Sequence, residues 1–297
     1  MRLACRHAHG QQLSFRARSP RSALAPSNPA RLVLTDALRL PYLARLAYFK
    51  THTRRENNVG QRVNEYGQPI GEPMPNWQPA KAPGDQPMTG RYCRLERVNV
   101  ERHLDDLYDA YSAAPDARDW TYLSVGPFGT REAYRDCLTA LAASPDPLHY
   151  AVIDLATGKA VGTLSLMRID KSNGVIEVGF VVFSQRLQKT RMATEAIFLL
   201  MQRVFDELGY RRFEWKCDAL NAPSRAAAAR FGFTFEGIFR QAVTYKGRNR
   251  DTAWFSIIDS EWPALRAGFA EWLDEANFDS QGKQRRTLQA CMAGRLE

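Results

Sequence analysis

The chain has 297 residues, of which 44% are hydrophobic and 25% are charged, and its formal net charge is +9. This composition is typical of a folded protein with one or two domains, and it excludes a disordered chain, a collagen-like chain and a small disulfide-stabilised protein. The excess positive charge lies at the front, since residues 1–55 carry 11 Lys and Arg and one acid. The rest of the chain is nearly neutral, so it lacks the basic surface of a nucleic-acid-binding domain, and we expect no nucleic-acid partner.

Residues 1–62 form a basic extension that we expect to lie outside the folded domain. Residues 1–34 contain no Asp or Glu and are rich in Arg, Ser, Ala and Pro, a composition shared by disordered tails, translated upstream sequence and transit peptides. We favour a disordered or non-native extension, with initiation at Val63 as one origin, and a cytoplasmic location. If residues 1–34 are a genuine transit segment, the location is mitochondrial.

Neither the cysteines nor the hydropathy pattern predicts a metal or a membrane partner. The five cysteines are scattered without C-x-x-C spacing, which predicts neither a zinc site nor a disulfide framework. No run of about 18 apolar residues is present, so no membrane-spanning helix is expected.

The domain proper is predicted to begin near residue 89, after a Pro- and Gly-rich lead-in at 63–88, because proline at this density blocks helices and central strands. It is predicted to extend to residue 275, followed by a loose polar tail at 276–297. The elements predicted for its first half are a strand at 91–98, a helix at 100–114, an aromatic loop at 120–128, a helix at 130–143, and an antiparallel meander at 149–155, 160–169 and 175–183.

The second half alternates helices and strands. A long amphipathic helix is predicted at 192–208. It is followed by a strand at 211–217, a helix at 223–230, strands at 234–240 and 251–258, and a closing helix after Ser260. A strand, helix, strand passage attached to a meander predicts an α+β fold, a mixed sheet with helices on its faces.

The turn before the long helix has the features of an anion-binding site. A strand that ends at Phe183 leads into a short basic turn and then a helix N-terminus. The free amides of a first helical turn and the helix dipole attract anions, and Lys189 and Arg191 can neutralise phosphate oxygens. Many helices begin after a basic turn without a ligand, so this feature by itself is a weak indication.

Two segments taken together resemble the GNAT superfamily of N-acetyltransferases, specifically its RimJ/RimL-like branch. The family pattern Gln/Arg-x-x-Gly-x-Gly/Ala is matched at Gln188 and Ala193, whereas Arg191 replaces the first glycine. The later family pattern is matched more fully, at Asn221, Ser224, Arg230, Phe231, Gly232 and Phe233. The resemblance covers roughly residues 89–265 and implies the GNAT fold, a twisted, mostly antiparallel mixed sheet of about seven strands flanked by helices.

The resemblance implies transfer of an acetyl group from acetyl-CoA to a primary amine, without a metal. The expected acceptor is the α-amine of a protein N-terminus. The alternatives are a small amine (an aminoglycoside, a polyamine or an amino acid) and, in another class, a CoA-binding module with little catalysis. A monomer or a homodimer is expected, and no membrane partner.

The resemblance also implies a site. Glu177, polar in an apolar strand, is the expected general base, although it could equally be an exposed position on an alternating strand. Many members of the family use a tyrosine after this helix start as the acid, and no tyrosine lies between Asn221 and Arg230. The expected proton donor is therefore Ser224 or a water molecule held by Asn221. The residues expected to contact acetyl-CoA are Val181, Val182, Phe183, Gln188, Lys189, Thr190, Arg191, Met192, Ala193, Thr194, Asn221 and Ser224. Arg191 is expected either to force a different turn or to supply a guanidinium contact in place of a close amide contact.

The acceptor site is expected to be bordered by aromatic residues: Trp120, Tyr122, Phe128 and Tyr245. His149 is a weaker candidate, since a lone histidine at the start of a strand is more often structural. A cationic small-amine acceptor would require several acids to converge on the cleft, and the acids available for this are Asp116, Asp119, Glu177 and Asp251.

Overall fold

The computed structural model describes residues 62–295, and the predictions made for residues 1–61 lie outside that range. Two units divide between Pro75 and Asn76. In the described part of the first unit, a bridge between Val63 and Pro69 closes a short turn, and no helix follows it. The second unit contains all the helices and the main sheet of the described residues.

The second unit is built on an eight-stranded sheet with the strand order β1-β2-β3-β4-β5-β6-β8-β7. The predicted mixed α+β fold is confirmed, and the eighth strand is β1, a two-residue edge strand too short to recognise from periodicity. Neighbouring strands are antiparallel except for the parallel pair β5 and β6. The strands are β1 Met88–Thr89, β2 Cys93–Arg97, β3 Leu148–Asp154, β4 Ala160–Asp170, β5 Val175–Phe183, β6 Arg212–Asp218, β7 Thr234–Tyr245 and β8 Arg248–Ile258.

Helices cover both faces of this sheet and enclose two hydrophobic cores. Side-chain caps start five of them, from Asn99, Thr130, Thr190, Asn221 and Thr287. No helix of the described range is long and apolar enough to cross a membrane. The helices are α1 Val100–Ser112, α2 Arg131–Ala143, α3 Arg191–Gln202, α4 Ala222–Arg230, α5 Trp262–Leu273 and α6 Leu288–Met292.

The helix predicted at 192–208 is divided. α3 is followed directly by a π-helical turn, Arg203–Glu207, which keeps Val204 buried in the core. No glycine or proline marks the change, so the apolar periodicity appears continuous in the sequence.

The prediction of a loose tail after residue 275 is wrong. α6 packs into the main core through Leu288, Cys291 and Met292, each at most 4% exposed. Gly268 of α5 makes room for this contact, since a Cβ there would lie 2.7 Å from Met292 Cγ. The apolar residues of the tail form one short helical face within a polar stretch, which is too brief a signal to stand out in the sequence.

α3 is attached to β2 by a buried carboxylate. Glu195, 4% exposed, accepts hydrogen bonds of 2.7 to 2.8 Å from the amides of Arg91, Tyr92 and Cys93. Hydrogen bonds to a charged group are about twice as strong as neutral ones. This contact therefore fixes the start of α3 against the sheet.

Replacement of this carboxylate should destabilise the fold. We expect Glu195→Gln to lower the free energy of unfolding by about 2–4 kcal/mol, because an amide NH₂ group then faces backbone donors. Urea unfolding followed by circular dichroism measures the loss. The control is Glu132→Gln, an exposed residue in the first turn of α2, for which we expect a loss below about 1 kcal/mol. Equal losses for the two variants would contradict the anchoring role.

Candidate active site

The pairing between β5 and β6 stops halfway along the strands. It runs from Val175 opposite Arg212 to Val178 opposite Trp215, and it has no counterpart beyond these residues. At the same point β5 bulges, with Phe180 at φ 47°, and its register against β4 shifts. A cleft of about 440 Å³ opens where the two strands separate.

The cleft brings together residues from the middle of the sheet, from α4 and from the loop before α2. Both predicted catalytic residues line it. The predicted site residues found in its lining are Glu177, Val181, Asn221, Ser224, Tyr122 and Tyr245.

Other predicted site residues lie elsewhere. Trp120 and Phe128 do not reach this cleft, because they pack edge to face with each other and with Tyr111 and Tyr134. The Tyr111 hydroxyl also donates to the carbonyl of Val182, which is 8% exposed. These aromatic residues therefore form a local core between α1 and α2.

His149 is a buried structural residue in this fold. It is 1% exposed, and its ring lies 5.2 Å from the ring of Phe180. Burial, together with the charge of Arg97, lowers its pKa to about 4. It is therefore neutral at physiological pH, and its ring contacts Phe180, the residue at which β5 bulges.

Of the four acids available to a cationic small-amine acceptor, only Glu177 lines the cleft. Asp116 pairs with Arg118, and Asp119 accepts from the Gln188 side chain. Asp251 accepts from the amide of Gln241 within the β7–β8 hairpin. Backbone and side-chain partners thus hold Asp116, Asp119 and Asp251 away from the cleft, and the Gln188 partner of Asp119 is distant in sequence. Among residues 62–295 no group of three potential metal ligands lies together.

Glu177 lies at the floor of the cleft in a cluster of buried charges. It is 4% exposed, so it is not a surface position. Its Oε2 lies 2.9 Å from Lys216 Nζ and 3.1 Å from Arg168 Nε, and Lys216 Nζ also lies 2.6 Å from Glu214 Oε2. Burial raises the pKa of Glu177 above its ordinary value, although the charges of Lys216 and Arg168 oppose this rise.

The sequence analysis missed Lys216 and Asp218, which also line the cleft. The signal lies in β6, where charged residues at 214, 216 and 218 alternate with apolar ones. All three charged side chains are almost completely buried. A strand that is charged on one face and apolar on the other suggests that the charged side chains pair with opposite charges. The residues that supply those opposite charges can be identified only once the neighbouring strands are placed.

Ser224 is oriented to donate a proton. The indole Nε1 of Trp215 donates to Ser224 Oγ at 3.0 Å, and an indole N–H can only donate. The hydroxyl hydrogen of Ser224 therefore remains available to an acceptor in the cleft. The backbone amide of Ser224 donates to Asn221 Oδ1, so the same residue also takes part in the cap of α4.

The loop before α3 fits a phosphate group. Thr190 caps the helix by accepting from the amide of Ala193, and in the described chain no hydrogen bond is made by the amides of Arg191 and Met192. Free amides at a helix N-terminus suit a pyrophosphate, and the separated edges of β5 and β6 suit an extended arm with amide groups. These residues fit acetyl-CoA.

Arg191 does not need to be glycine in this turn. The left-handed residue is Lys189, with φ 60°, whereas Arg191 is the first residue of the helix. The Arg191 guanidinium carbon lies 3.8 Å from the centre of the Phe278 ring and 5.6 Å from that of Tyr92. The Arg191 side chain thus packs against aromatic rings, one of which, Phe278, lies in the segment after α5.

Comparisons with known proteins agree with this geometry. Residues 94–234 match the family model described as "Acetyltransferase (GNAT) domain". A crystal structure of a GCN5-related N-acetyltransferase from Brucella melitensis is 51% identical, with a TM-score of 0.72, over 74% of this chain and 99% of that one. The uncharacterized N-acetyltransferase p20 of Bacillus licheniformis is 28% identical over 57% of this chain and 95% of its own length. A candidate ribosomal N-acetyltransferase of Bacillus subtilis, YdaF, is 29% identical over 36% of this chain and 58% of its own length.

An experiment can distinguish the structural contact between Arg191 and Phe278 from a role of Arg191 in cofactor binding. We expect Arg191→Ala to lower the free energy of unfolding by about 1 kcal/mol through loss of the cation–π contact, and to leave the affinity for CoA within about threefold. Urea unfolding and titration calorimetry measure the two effects. Arg186→Ala, in the exposed part of the same loop, is the control and should change neither. An affinity loss of tenfold or more in Arg191→Ala with unchanged stability would assign the guanidinium to the cofactor.

Proposed function

This chain belongs to the GNAT family of N-acetyltransferases, and we propose that it acetylates the α-amine of a protein N-terminus. Acetyl-CoA supplies the acetyl group as a thioester. The observation that carries the proposal is the cleft at the separation of β5 and β6, where a buried carboxylate, Glu177, and an oriented hydroxyl, Ser224, line the same space.

Two observations favour a peptide acceptor over a small polycation. The acids that would attract a polyamine or an aminoglycoside are engaged outside the cleft, and Glu177 is already surrounded by cations. The relative YdaF carries a name that refers to ribosomal N-acetylation. Both support a single terminal amine as the acceptor.

Glu177 is the proposed general base. An ammonium group must lose a proton before its nitrogen can attack a carbonyl, and a carboxylate whose pKa is raised accepts that proton more readily than an exposed one. Burial raises the pKa of Glu177, while the charges of Lys216 and Arg168 favour its ionised form and limit that rise. The carboxylate takes the proton directly or through a water molecule.

Ser224 is the proposed proton donor to the leaving sulfur. Trp215 donates to its oxygen and so leaves the hydroxyl hydrogen for an acceptor, for which the nearby Cys217 sulfur competes with the leaving sulfur. The start of α4 holds the residue beside the cleft. In the complete reaction the nitrogen–carbon bond forms and the carbon–sulfur bond breaks. The ammonium nitrogen loses two protons: Glu177 takes one before the attack and passes it to solvent, and the second replaces the proton that Ser224 gives to the departing sulfur. Asn221 and Val181 would position the reacting groups from the two sides of the cleft.

The proposed function is tested by thiol release from acetyl-CoA with the full chain. The acceptors are a short peptide with a free N-terminus, the same peptide with a blocked N-terminus, spermidine and free amino acids. We expect turnover only with the free peptide, and a loss of about 10²-fold or more in kcat for Glu177→Gln. The matched control is Glu214→Gln, which also removes a buried carboxylate beside Lys216 but lies outside the cleft lining, and it should retain most of the rate at alkaline pH.

Other results would reject specific parts of the proposal. Turnover with spermidine or amino acids alone would reject the peptide acceptor. CoA binding without turnover on any amine in this panel would indicate a binding module instead. Equal losses in Glu177→Gln and Glu214→Gln would show that the charge cluster is structural.

The charge cluster should also set the pH dependence of the reaction. Glu177 acts as a base only when ionised, so kcat/KM should rise as the pH increases through its raised folded-state pKa. Lys216→Met removes a charge that lowers this pKa, so the acidic limb should move to higher pH. Glu214→Gln removes a like charge and should move the limb to lower pH, whereas Lys216→Arg should leave it nearly unchanged. Shifts in the same direction for Lys216→Met and Glu214→Gln would contradict this assignment.

A further inference from the structure

One cation in the lining of the cleft has no anionic partner. Arg250, near the start of β8, is partly buried, and its Nε donates to Thr252 Oγ1 at 3.1 Å. Within residues 62–295 no carboxylate lies at ion-pair distance from its guanidinium. Arg168, by contrast, pairs with Glu177, and Lys216 pairs with both Glu177 and Glu214.

The register of the sheet places Arg250 on the same face as the proposed base. Glu177 lies opposite Glu214 in the β5–β6 pair, and Asp218 of β6 lies opposite Thr252. Residues directly opposite each other share a face of the sheet, and so do residues two positions apart in a strand. Glu177 and Arg250 therefore both project into the cleft from one face.

The helix that is expected to bind the pyrophosphate covers the other face. Phe213 of β6 alternates with Glu214, and its ring packs 6.2 Å from that of Phe205, in the π-helical turn that continues α3. A phosphate at the N-terminus of α3 would thus lie across the sheet from Arg250. The guanidinium belongs to the side of the cleft where an acceptor would enter.

The rest of this side adds positive charge. At the tip of the β7–β8 hairpin, Lys246 Nζ donates to the carbonyls of Trp120 and Val125, and Arg248 donates to that of Thr121. These contacts join the hairpin to the loop before α2 without using an acid. The acids in the lining are both engaged: Glu177 with two cations, and Asp218 with the hydroxyl of Tyr245 and the amide of Leu220.

We propose that Arg250 recognises a carboxylate on the acceptor, close to the reactive amine. On the basis of the proposed function, the preferred substrate is a protein N-terminus with Asp or Glu at the first or second residue. A half-buried guanidinium loses hydration without a partner in the free protein, and a substrate carboxylate would restore charge-assisted, bidentate hydrogen bonds. The same carboxylate chemistry occurs in a free acidic amino acid, which the experiment treats separately.

The test compares peptides that differ only at the second residue, Glu, Gln or Lys, together with free glutamate and spermidine. With the wild-type full chain, kcat/KM for the Glu peptide should exceed that for the Gln peptide by about tenfold, and the Lys peptide should be poorest. Arg250→Gln should remove the difference between the Glu and Gln peptides. The control Arg240→Gln changes an exposed arginine of β7 that does not line the cleft, and it should preserve the difference.

The other possible results would reject either the role of Arg250 or the protein acceptor, or both. Equal rates for the three peptides, or an undiminished preference for Glu in Arg250→Gln, would overturn the role of Arg250 while leaving N-terminal acetylation intact. Acetylation of free glutamate but of no peptide, dependent on Arg250, would retain carboxylate recognition and reject the protein acceptor. Acetylation of spermidine alone would overturn both.

Discussion

The loss of hydrogen bonding between β5 and β6 beyond Val178 and Trp215 is the constraint on which the rest of the site depends. A parallel pair in the middle of a sheet normally continues to the strand ends, because unpaired backbone groups are costly to bury. Here the strands diverge, β5 bulges at Phe180, and a cleft opens in the interior of the sheet. The sheet thus provides two free strand edges beside the cleft.

The same divergence explains why charged residues can be buried in the centre of the sheet. Glu177 and Glu214 are directly opposed across the parallel pair, an arrangement that repels unless a cation lies between them. Lys216 supplies that cation and stacks 3.8 Å above the ring of Trp254. The cluster therefore pairs the buried charges of the sheet and influences the pKa of Glu177, which faces the cleft. The stability of the sheet and the proposed proton transfer thus depend on the same three side chains, Glu177, Glu214 and Lys216.

The helix α3 connects the two sides of the site. Its N-terminus presents free amides on the face away from Glu177, and Glu195 fixes it to β2 through three backbone amides. Arg191 adds a contact with Phe278, so the segment after α5 also supports the loop. A turn that relies on glycine elsewhere in the family is held here by Lys189 in a left-handed conformation and by side-chain packing. The substitution at 191 therefore has a structural account that retains the anion-binding geometry.

The sequence by itself determined the order and type of nearly all the elements, the family and the two residues, Glu177 and Ser224, at the centre of the proposed reaction. Periodicity and capping are local signals, and the family motifs are contiguous, so neither needs a tertiary fold. Only the tertiary structure decided which side chains share the cleft. It moved Trp120 and Phe128 into a local core and separated the acids, and it brought Lys216 beside Glu177 and Arg250 into the lining of the same cleft. The physical reason is that burial and charge pairing depend on register between strands distant in sequence, and on how far those strands remain paired.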